Sequence, residues 1–194
     1  MEQTTLRRLV GIALLGACAY VLMLLEFPIL PAATWMKIDF SDIPILIGLL
    51  LYGVGGAFTI TVLKLVIHSA TMGFAIYDLI GSLASFLGSA SLIIVFAVVL
   101  RYYKGNPKYR LPLAVGIATI VLTVVESTAN LTFVLPFYLQ VMGFNLQLSL
   151  SKFVLFVVVP FNLIKGVLVG TVFGLVYQRL AKWLGNHNQL TSRV

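Results

Sequence analysis

The sequence predicts an all-α integral membrane protein, a single domain built as a bundle of six transmembrane helices. Of its 194 residues, 60% are hydrophobic and only 10% are charged, whereas soluble domains carry roughly 25% charged residues. Apolar runs long enough to cross a bilayer, about 20 residues, recur along the chain. They do not alternate between apolar and polar positions as the strands of a membrane barrel do.

The elements follow from these runs and their breaks. The first helix is predicted over 9–27, after the basic pair Arg7-Arg8 and before Pro28. The apolar stretch that begins at Ile43 is too long for one span, and the cluster Gly53-Val54-Gly55-Gly56 resembles a turn, so five or six helices are compatible with hydropathy alone. The later helices are predicted over 79–100, 111–135 and 153–177, and a polar tail over 185–194.

The distribution of basic residues decides between five and six helices. Lys and Arg gather in cytoplasmic loops of membrane proteins. Nine of the basic residues outside the spans form three clusters, one before the first helix, one between Arg101 and Arg110, and one in the tail, whereas Lys37 and Lys152 lie apart from them. All three share a side only if the stretch after Ile43 is a hairpin of helices 43–52 and 57–72. We therefore predict six helices with both termini cytoplasmic, in a cell membrane.

Several function classes are disfavoured. The net charge of +7 suggests nucleic acid, but the basic residues flank membrane spans, so lipid is the expected neighbour. The glycines at 53–56 lack the Lys-Ser/Thr ending of a phosphate loop, so the chain has no ATPase site of its own. No spacing predicts a catalytic group, a metal or a cofactor. Lys64 and His68 share a helical face and are expected to contact backbone or water near the outer membrane surface.

The loop at 31–42 is the most charged segment between two apolar runs. Lys37, Asp39 and Asp42 lie within six positions, next to Trp35 and Phe40. Such a segment is either a solvated connector or the lid of a site, and we favour a lid that caps a ligand.

Polar residues inside the predicted spans are costly and usually face a cavity or a partner. Asn162 and Lys165 lie near the middle of the last span, and Pro160 is expected to loosen the helix just outside them. Glu126 and Asn130 are one turn apart in the fifth helix. These groups either pair with one another to fix helix packing or line an outward-facing pocket for a polar small molecule, which we favour.

Small residues on the first helix permit close approach by another helix. Ala13, Gly16 and Ala17 lie in its cytoplasmic half. Packing inside the bundle and docking of a partner subunit are both compatible with this pattern.

Three motifs together resemble one family. The loop Lys37-Ile38-Asp39-Phe40-Ser41-Asp42-Ile43-Pro44, the segment from Asn130 to Pro136-Phe137-Tyr138, and Pro160-Phe161-Asn162-Leu163-Ile164-Lys165-Gly166 look like the riboflavin-binding S component of energy-coupling factor (ECF) transporters. The resemblance implies a six-helix protein that captures a vitamin from outside. It also implies partners, namely a transmembrane coupling subunit and two ATPase subunits.

The resemblance implies that Asp39, Asn130 and Lys165 contact the ligand and that Ala13 and Ala17 face the coupling subunit, to which we add Gly16. Aromatic residues are expected to form a slot for the flavin ring. The full set of predicted ligand-binding residues is Trp35, Lys37, Asp39, Phe40, Asp78, Asn130, Phe133, Asn162 and Lys165. The chain departs from the family at Asp78-Leu79-Ile80-Gly81, where relatives often carry Glu-Leu-Ala-Asn.

Two other readings remain. The first alternative is an S component or solute carrier for another vitamin. A test for bound flavin would distinguish it from a riboflavin-binding protein. A non-transporting scaffold or a membrane enzyme is the second alternative, and the lack of an acid–base pair or nucleophile counts against the enzyme.

Overall fold

The computed structural model describes residues 2–141, 143 and 148–185 of the chain. Its helices are α1 (Glu2–Leu24), α2 (Asp42–Met72), α3 (Ile76–Tyr102), α4 (Pro107–Ala129), α5 (Leu135–Val141), α6 (Leu150–Phe153) and α7 (Val159–Gly185). Two π-helical turns, Asn130–Val134 and Val154–Val158, join α4 to α5 and α6 to α7. Of the predicted polar tail only Gly185 is described, so that prediction lies outside the described residues.

Five segments are long and apolar enough to cross a membrane: Thr5–Leu24, Asp42–Met72, Ile76–Tyr102, Pro107–Val141 and Leu150–Arg179. The all-α membrane class is therefore confirmed, with one short strand pairing outside the helices. Several helices run past their predicted bounds because polar residues beside the apolar runs continue the helical backbone. Arg101, for example, lies in the last turn of α3.

The second segment is not one straight helix. Gly53 has a φ of 75° and a ψ of −174°, a conformation that glycine adopts without steric cost. Lys64 Nζ lies 3.0 Å from Ser41 Oγ, 23 positions away, whereas a straight helix would separate these positions by about 35 Å. The two arms of α2 therefore fold back on each other at Gly53, inside the stretch where the sequence predicts a break.

A row of glycines lets α7 pack closely against α4. A Cβ built on Gly166 would lie 2.9 Å from Thr119 Cα, and one built on Gly170 would lie 2.7 Å from Val115 Cγ1. Any side chain at these positions would push the helices apart, so glycine permits van der Waals contact along the pair.

The bundle has two ends, which we name by their connections. The hairpin end carries Gly53, and there Arg8 Nη2 donates to Tyr52 O at 3.1 Å. The core in this half is apolar, and the rings of Phe96 and Phe173, both 0% exposed, meet edge to face at 5.0 Å. The loop end carries residues 25–41.

The loop at this second end is folded onto the bundle. Strands β1 (Phe27–Pro28) and β2 (Lys37–Ile38) pair antiparallel, with Phe27 opposite Ile38, and a 3₁₀ turn at Pro31–Ala33 connects them. Ala33 packs in a second apolar cluster with Leu135, Phe153 and Val158. The loop is thus anchored to the helix ends that it covers.

Candidate functional site

A cavity of about 390 Å³ lies at the loop end, within the range of roughly 300–1,000 Å³ typical of small-molecule sites. The loop and helices α1, α2, α3, α4, α5 and α7 all contribute to its wall. Seven of the nine predicted ligand-binding residues line it: Trp35, Lys37, Asp39, Asp78, Asn130, Asn162 and Lys165.

A larger, open cavity of about 630 Å³ lies at the hairpin end. Arg7 and Arg8 line it together with Thr5 and residues 50–53. Among the residues whose side chains the structure describes, this lining contains no carboxylate or amide side chain. Because recognition of a polar small molecule needs donors and acceptors converging on one space, we take the 390 Å³ cavity as the candidate site.

Two predicted aromatic contacts are placed elsewhere. Phe40 does not line the cavity, and its ring lies 6.2 Å from that of Phe27, because neighbouring residues of an extended chain point to opposite sides. Phe133 also lies off the cavity wall, which takes Asn130 and Val134 from the same π turn. Neither Phe40 nor Phe133 lines the cavity in this structure, and their contact with the flavin ring stays a prediction. Trp35 does line the cavity and stacks on Phe153, with ring centroids 5.9 Å apart and planes 12° apart.

The remaining wall residues were not among the predicted ligand contacts. They are Met23, Glu26, Met36, His68, Met72, Gly81, Ser82, Ala84, Ser85, Glu126, Val134, Leu135, Tyr138 and Phe161. Glu126 is a residue that the sequence could have identified as a ligand contact, since it is expected to share a pocket-lining face with Asn130. Most of the others are apolar or hydroxyl residues, whose position depends on the rotation of each helix and carries no signal in the sequence.

Proline sets the geometry of the two helices that carry the amides. A proline ring in a helix clashes with the carbonyl four residues earlier. Here the N–H one residue before each proline bonds five residues back, from Leu135 to Asn130 O and from Val159 to Val154 O. The wider turns remove the clash at Pro136 and Pro160, and they confirm that Pro160 loosens the last helix beside the site. Such π turns are frequent at functional sites.

Lys165 is the central charge of the cavity. Its ammonium makes no hydrogen bond within the part of the chain that the structure describes, and it feels the charges of Asp42, Asp39 and Glu126. The Asn130 and Asn162 side chains each donate to the carbonyl one turn earlier, Glu126 O at 2.8 Å and Val158 O at 3.0 Å. Each amide oxygen is without a hydrogen-bond donor among the described residues, and both residues line the cavity. These groups line one space rather than pairing with one another, which favours the pocket over the packing alternative.

A buried polar network holds the end of the loop in place beside the cavity. Lys64, only 1% exposed, donates to Ser41 Oγ, and the Ser41 N–H donates to Asp39 Oδ1 at 2.7 Å. Ser89 Oγ donates to Asp42 Oδ1 at 2.5 Å. Because both carboxylates also attract the Lys64 ammonium, the network ties the end of the loop to α2 and α3 and sets the position of Asp39.

His68 has a side-chain partner that sequence reasoning missed. Its Nε2 lies 2.9 Å from Asp78 Oδ1. The expectation that Lys64 and His68 contact backbone or water is therefore wrong. The sequence did contain a signal for this contact. Gly73 ends α2 in a left-handed conformation, and His68 and Asp78 lie five residues before and five residues after this turn, so the turn brings them together.

The small residues of α1 do not share one environment. Ala13 and Ala17 are exposed on the surface of the bundle. Gly16 is buried, and a Cβ there would lie 2.6 Å from Leu63 Cδ2. The prediction that Gly16 belongs to an outer docking face is thus corrected, since its lack of a side chain makes room for α2.

Comparisons with known proteins agree with this architecture. Residues 7–177 match the family model of the ECF transporter, substrate-specific component. The chain is 35% identical over 182 residues to the riboflavin transporter RibU of Staphylococcus aureus (strain TCH60), covering 92% of each protein. It is 29% identical over 180 residues to the riboflavin transporter FmnP of Bacillus subtilis (strain 168), covering 92% of this chain and 94% of that one.

A solved S component of a bacterial ECF transporter superposes with a TM-score of 0.76 at 30% identity, covering 93% of this chain and 98% of that one. The family model spans most of the chain and includes every element that lines the cavity. The chain therefore belongs to the family of substrate-specific components of ECF transporters.

Proposed function

We propose that this protein captures riboflavin from outside the cell and delivers it across the membrane as the substrate-binding subunit of an ATP-driven ECF transporter. Its relatives are named riboflavin transporters. The observation that carries the proposal for this chain is the cavity itself, whose lining combines the aromatic rings of Trp35 and Phe161 with a lysine and two amides.

The aromatic wall suits the flat flavin ring. Trp35 and Phe161 line the cavity, and Phe153 supports Trp35 from behind the wall by stacking nearly parallel to it. Aromatic side chains offer large apolar area and favour offset stacking with other π systems. The ring is expected to lie against Trp35, beneath the folded loop.

The polar wall suits the pyrimidine edge of the ring, which carries two carbonyl oxygens and one N–H. Lys165 supplies an ammonium donor without a hydrogen-bond partner among the described residues, and the oxygens of Asn130 and Asn162 supply acceptors. A ligand that fails to pair such groups loses roughly 1–3 kcal/mol for each one. Asp39, fixed by Ser41, and Lys37 at the rim complete the proposed contacts.

The proposed topology has six crossings with both termini in the cytoplasm of a bacterial cell. The fold-back of α2 at Gly53 supports two crossings within that segment. Arg8 lies beside the hairpin at Tyr52, and the loop between α3 and α4 carries Lys104, so basic residues gather at the hairpin end. By the positive-inside tendency that end is cytoplasmic and the cavity opens outward.

The energy for uptake is proposed to come from partner subunits, a transmembrane coupling protein and two ATPases. Ala13 and Ala17 are exposed on α1 beside Leu14, which is 62% exposed. Small exposed residues allow a neighbouring helix to approach closely in the membrane, so this face is proposed as the docking site of the coupling subunit.

The experiment is the absorption spectrum of the protein purified from cells without added ligand, followed by titration with riboflavin. A flavin spectrum, or saturable quenching of riboflavin fluorescence, is expected. Matched titrations with two other vitamins, thiamine and biotin, serve as controls. A colourless protein that ignores riboflavin but is stabilised against heat by another vitamin would replace the proposed substrate.

A further inference from the structure

The open cavity of about 630 Å³ at the hairpin end has no role in the proposed riboflavin site. Its described lining consists of Thr5, Arg7 and Arg8 of α1 and residues 50–53 of α2. Both arginine side chains are exposed. The planar guanidinium group pairs with phosphate through two parallel hydrogen bonds, so two arginines beside one concave space suit a phosphate ligand.

The contacts of the two arginines leave donors available for a ligand. Arg8 Nη2 donates to Tyr52 O at 3.1 Å, which uses one of the five N–H groups of its guanidinium and holds the side chain against the hairpin. Arg7 has no hydrogen-bond or ion-pair partner among the residues that the structure describes. The lining therefore offers one positioned guanidinium group and one without a described partner.

The acidic residues of the chain lie almost entirely at the opposite end. Of the six in the sequence, five belong to the loop or to the loop-end half, namely Glu26, Asp39, Asp42, Asp78 and Glu126. The sixth is Glu2, whose side chain is outside the described residues. The described part of the hairpin end thus holds basic residues without an internal counterion, and an external anion is left to balance them.

The cavity lies at the level where the bundle meets the membrane surface. Thr5, in its lining, begins the first membrane-spanning segment, and Gly53 marks the reversal of α2. Leu6 and Leu9, beside the arginines on α1, are 63% and 59% exposed. Exposed apolar side chains next to basic ones favour a molecule that carries both acyl chains and negative charge, whereas a soluble anion gains nothing from the leucines.

We propose that this cavity binds the phosphate of an anionic phospholipid, with Arg7 and Arg8 pairing with the phosphate oxygens and the acyl chains lying against Leu6 and Leu9. Basic pockets between membrane helices bind such headgroups. A zwitterionic lipid binds less tightly, because the same two arginines repel its ammonium group. Since the lining comes from α1 and from the hairpin of α2, a bound lipid connects these two elements. The site is independent of the vitamin that the protein carries.

The test measures lipid binding to the purified full chain in detergent by native mass spectrometry. The probes are phosphatidylglycerol and phosphatidylcholine with identical acyl chains. One basic residue near the membrane surface contributes about fivefold to the affinity for an anionic lipid. The wild-type protein should therefore bind phosphatidylglycerol at least about tenfold more tightly than phosphatidylcholine, and Arg7→Gln should reduce this preference about fivefold. The double variant Arg7→Gln/Arg8→Gln should bind both lipids equally.

Lys104→Gln/Lys108→Gln is the matched control, since it removes two exposed charges from the α3–α4 loop at the same end without changing the cavity lining. It should keep the preference within about twofold. Arg7→Gln alone carries the test if loss of the Arg8 contact to Tyr52 unfolds the hairpin.

Two results would overturn the lipid site on the grounds of charge. They are an unchanged preference in Arg7→Gln and an equal loss of preference in the lysine variant. Displacement of phosphatidylglycerol by inorganic phosphate would also overturn it, because the cavity would then be a site for a soluble anion.

Discussion

The same helices build two halves of opposite character. At the loop end α7 presents Lys165 to the cavity, and two turns further on it presents Phe173 to a fully apolar core. Helix α3 changes in the same way, from Ser82 on the cavity wall to Phe96 in the core. Recognition and packing are thus separated along each helix rather than divided between helices.

The two halves also differ in how completely their groups are paired. In the hairpin-end half, glycines at 166 and 170 bring α7 within contact of α4, and close-packed side chains gain many small dispersion contacts. In the loop-end half, His68 Nδ1, Asp78 Oδ2 and Ser82 Oγ have no hydrogen-bond partner among the described residues, and such buried groups cost stability. The close packing of the hairpin-end half is therefore expected to offset the lower stability of the half that carries the binding site.

The largest expected effect separates capture from coupling. Ala13→Trp or Ala17→Trp should abolish riboflavin uptake in cells that supply the coupling and ATPase subunits. Binding to the isolated protein in detergent should stay nearly intact, because both residues are exposed and outside the cavity wall.

Val124→Trp is the matched control for these variants. Val124 is 60% exposed on α4, away from α1, and its change should leave uptake unaltered. Parallel loss of binding and uptake in the α1 variants would mean that the tryptophan disturbs the bundle, and full uptake would remove α1 from the coupling surface.

The next effect is on stability alone. Phe173→Ala removes a fully buried ring from its edge-to-face contact with Phe96 and should lower the free energy of unfolding by about 3 kcal/mol. Thermal unfolding in detergent, followed by tryptophan fluorescence, measures the loss. The folded fraction should bind riboflavin with unchanged affinity, and a large loss of affinity would show that the two halves are coupled.

A variant on the cavity wall should change the affinity for riboflavin without lowering the stability of the protein. Lys165→Ala should weaken riboflavin binding at least tenfold, about 1.4 kcal/mol, because it removes an ammonium donor from the cavity. The ligand-free protein should melt no earlier, since an ammonium inside a span is costly. Lys152→Ala, at an exposed lysine, is the control. Equal affinity in a folded Lys165→Ala protein would assign this lysine to packing.

The smallest effect is local. Riboflavin should slow hydrogen exchange of the loop segment Trp35–Asp42, since a lid that excludes solvent becomes ordered when it closes over its ligand. A peptide from the core part of α3, residues 92–100, serves as internal reference and should not change. Protection confined to the helices would contradict the lid.

Much of the fold is visible in the sequence because hydropathy marks each span and glycine marks the reversal at Gly53. The polar residues of the site are also visible, since Asn130 and Lys165 stand out in apolar runs. The rotation of a helix about its own axis is not visible in the sequence. The pattern of small residues therefore groups Gly16 with Ala13, although Gly16 faces α2. Contacts between positions far apart in the chain, such as Lys64 with Ser41, depend on how helices meet, and hydropathy patterns do not encode this.

The two π turns before Pro136 and Pro160 have a consequence for evolution. Each wide turn holds about one residue more than an α-helical turn, which offsets the angular phase of the following helix by about 100°. Loss of the proline together with one residue would restore a regular helix and bring the polar face back into phase. We therefore expect relatives without Pro160 to carry a compensating single-residue gap within Val154–Val158, while a gap of any other length would turn Lys165 away from the cavity.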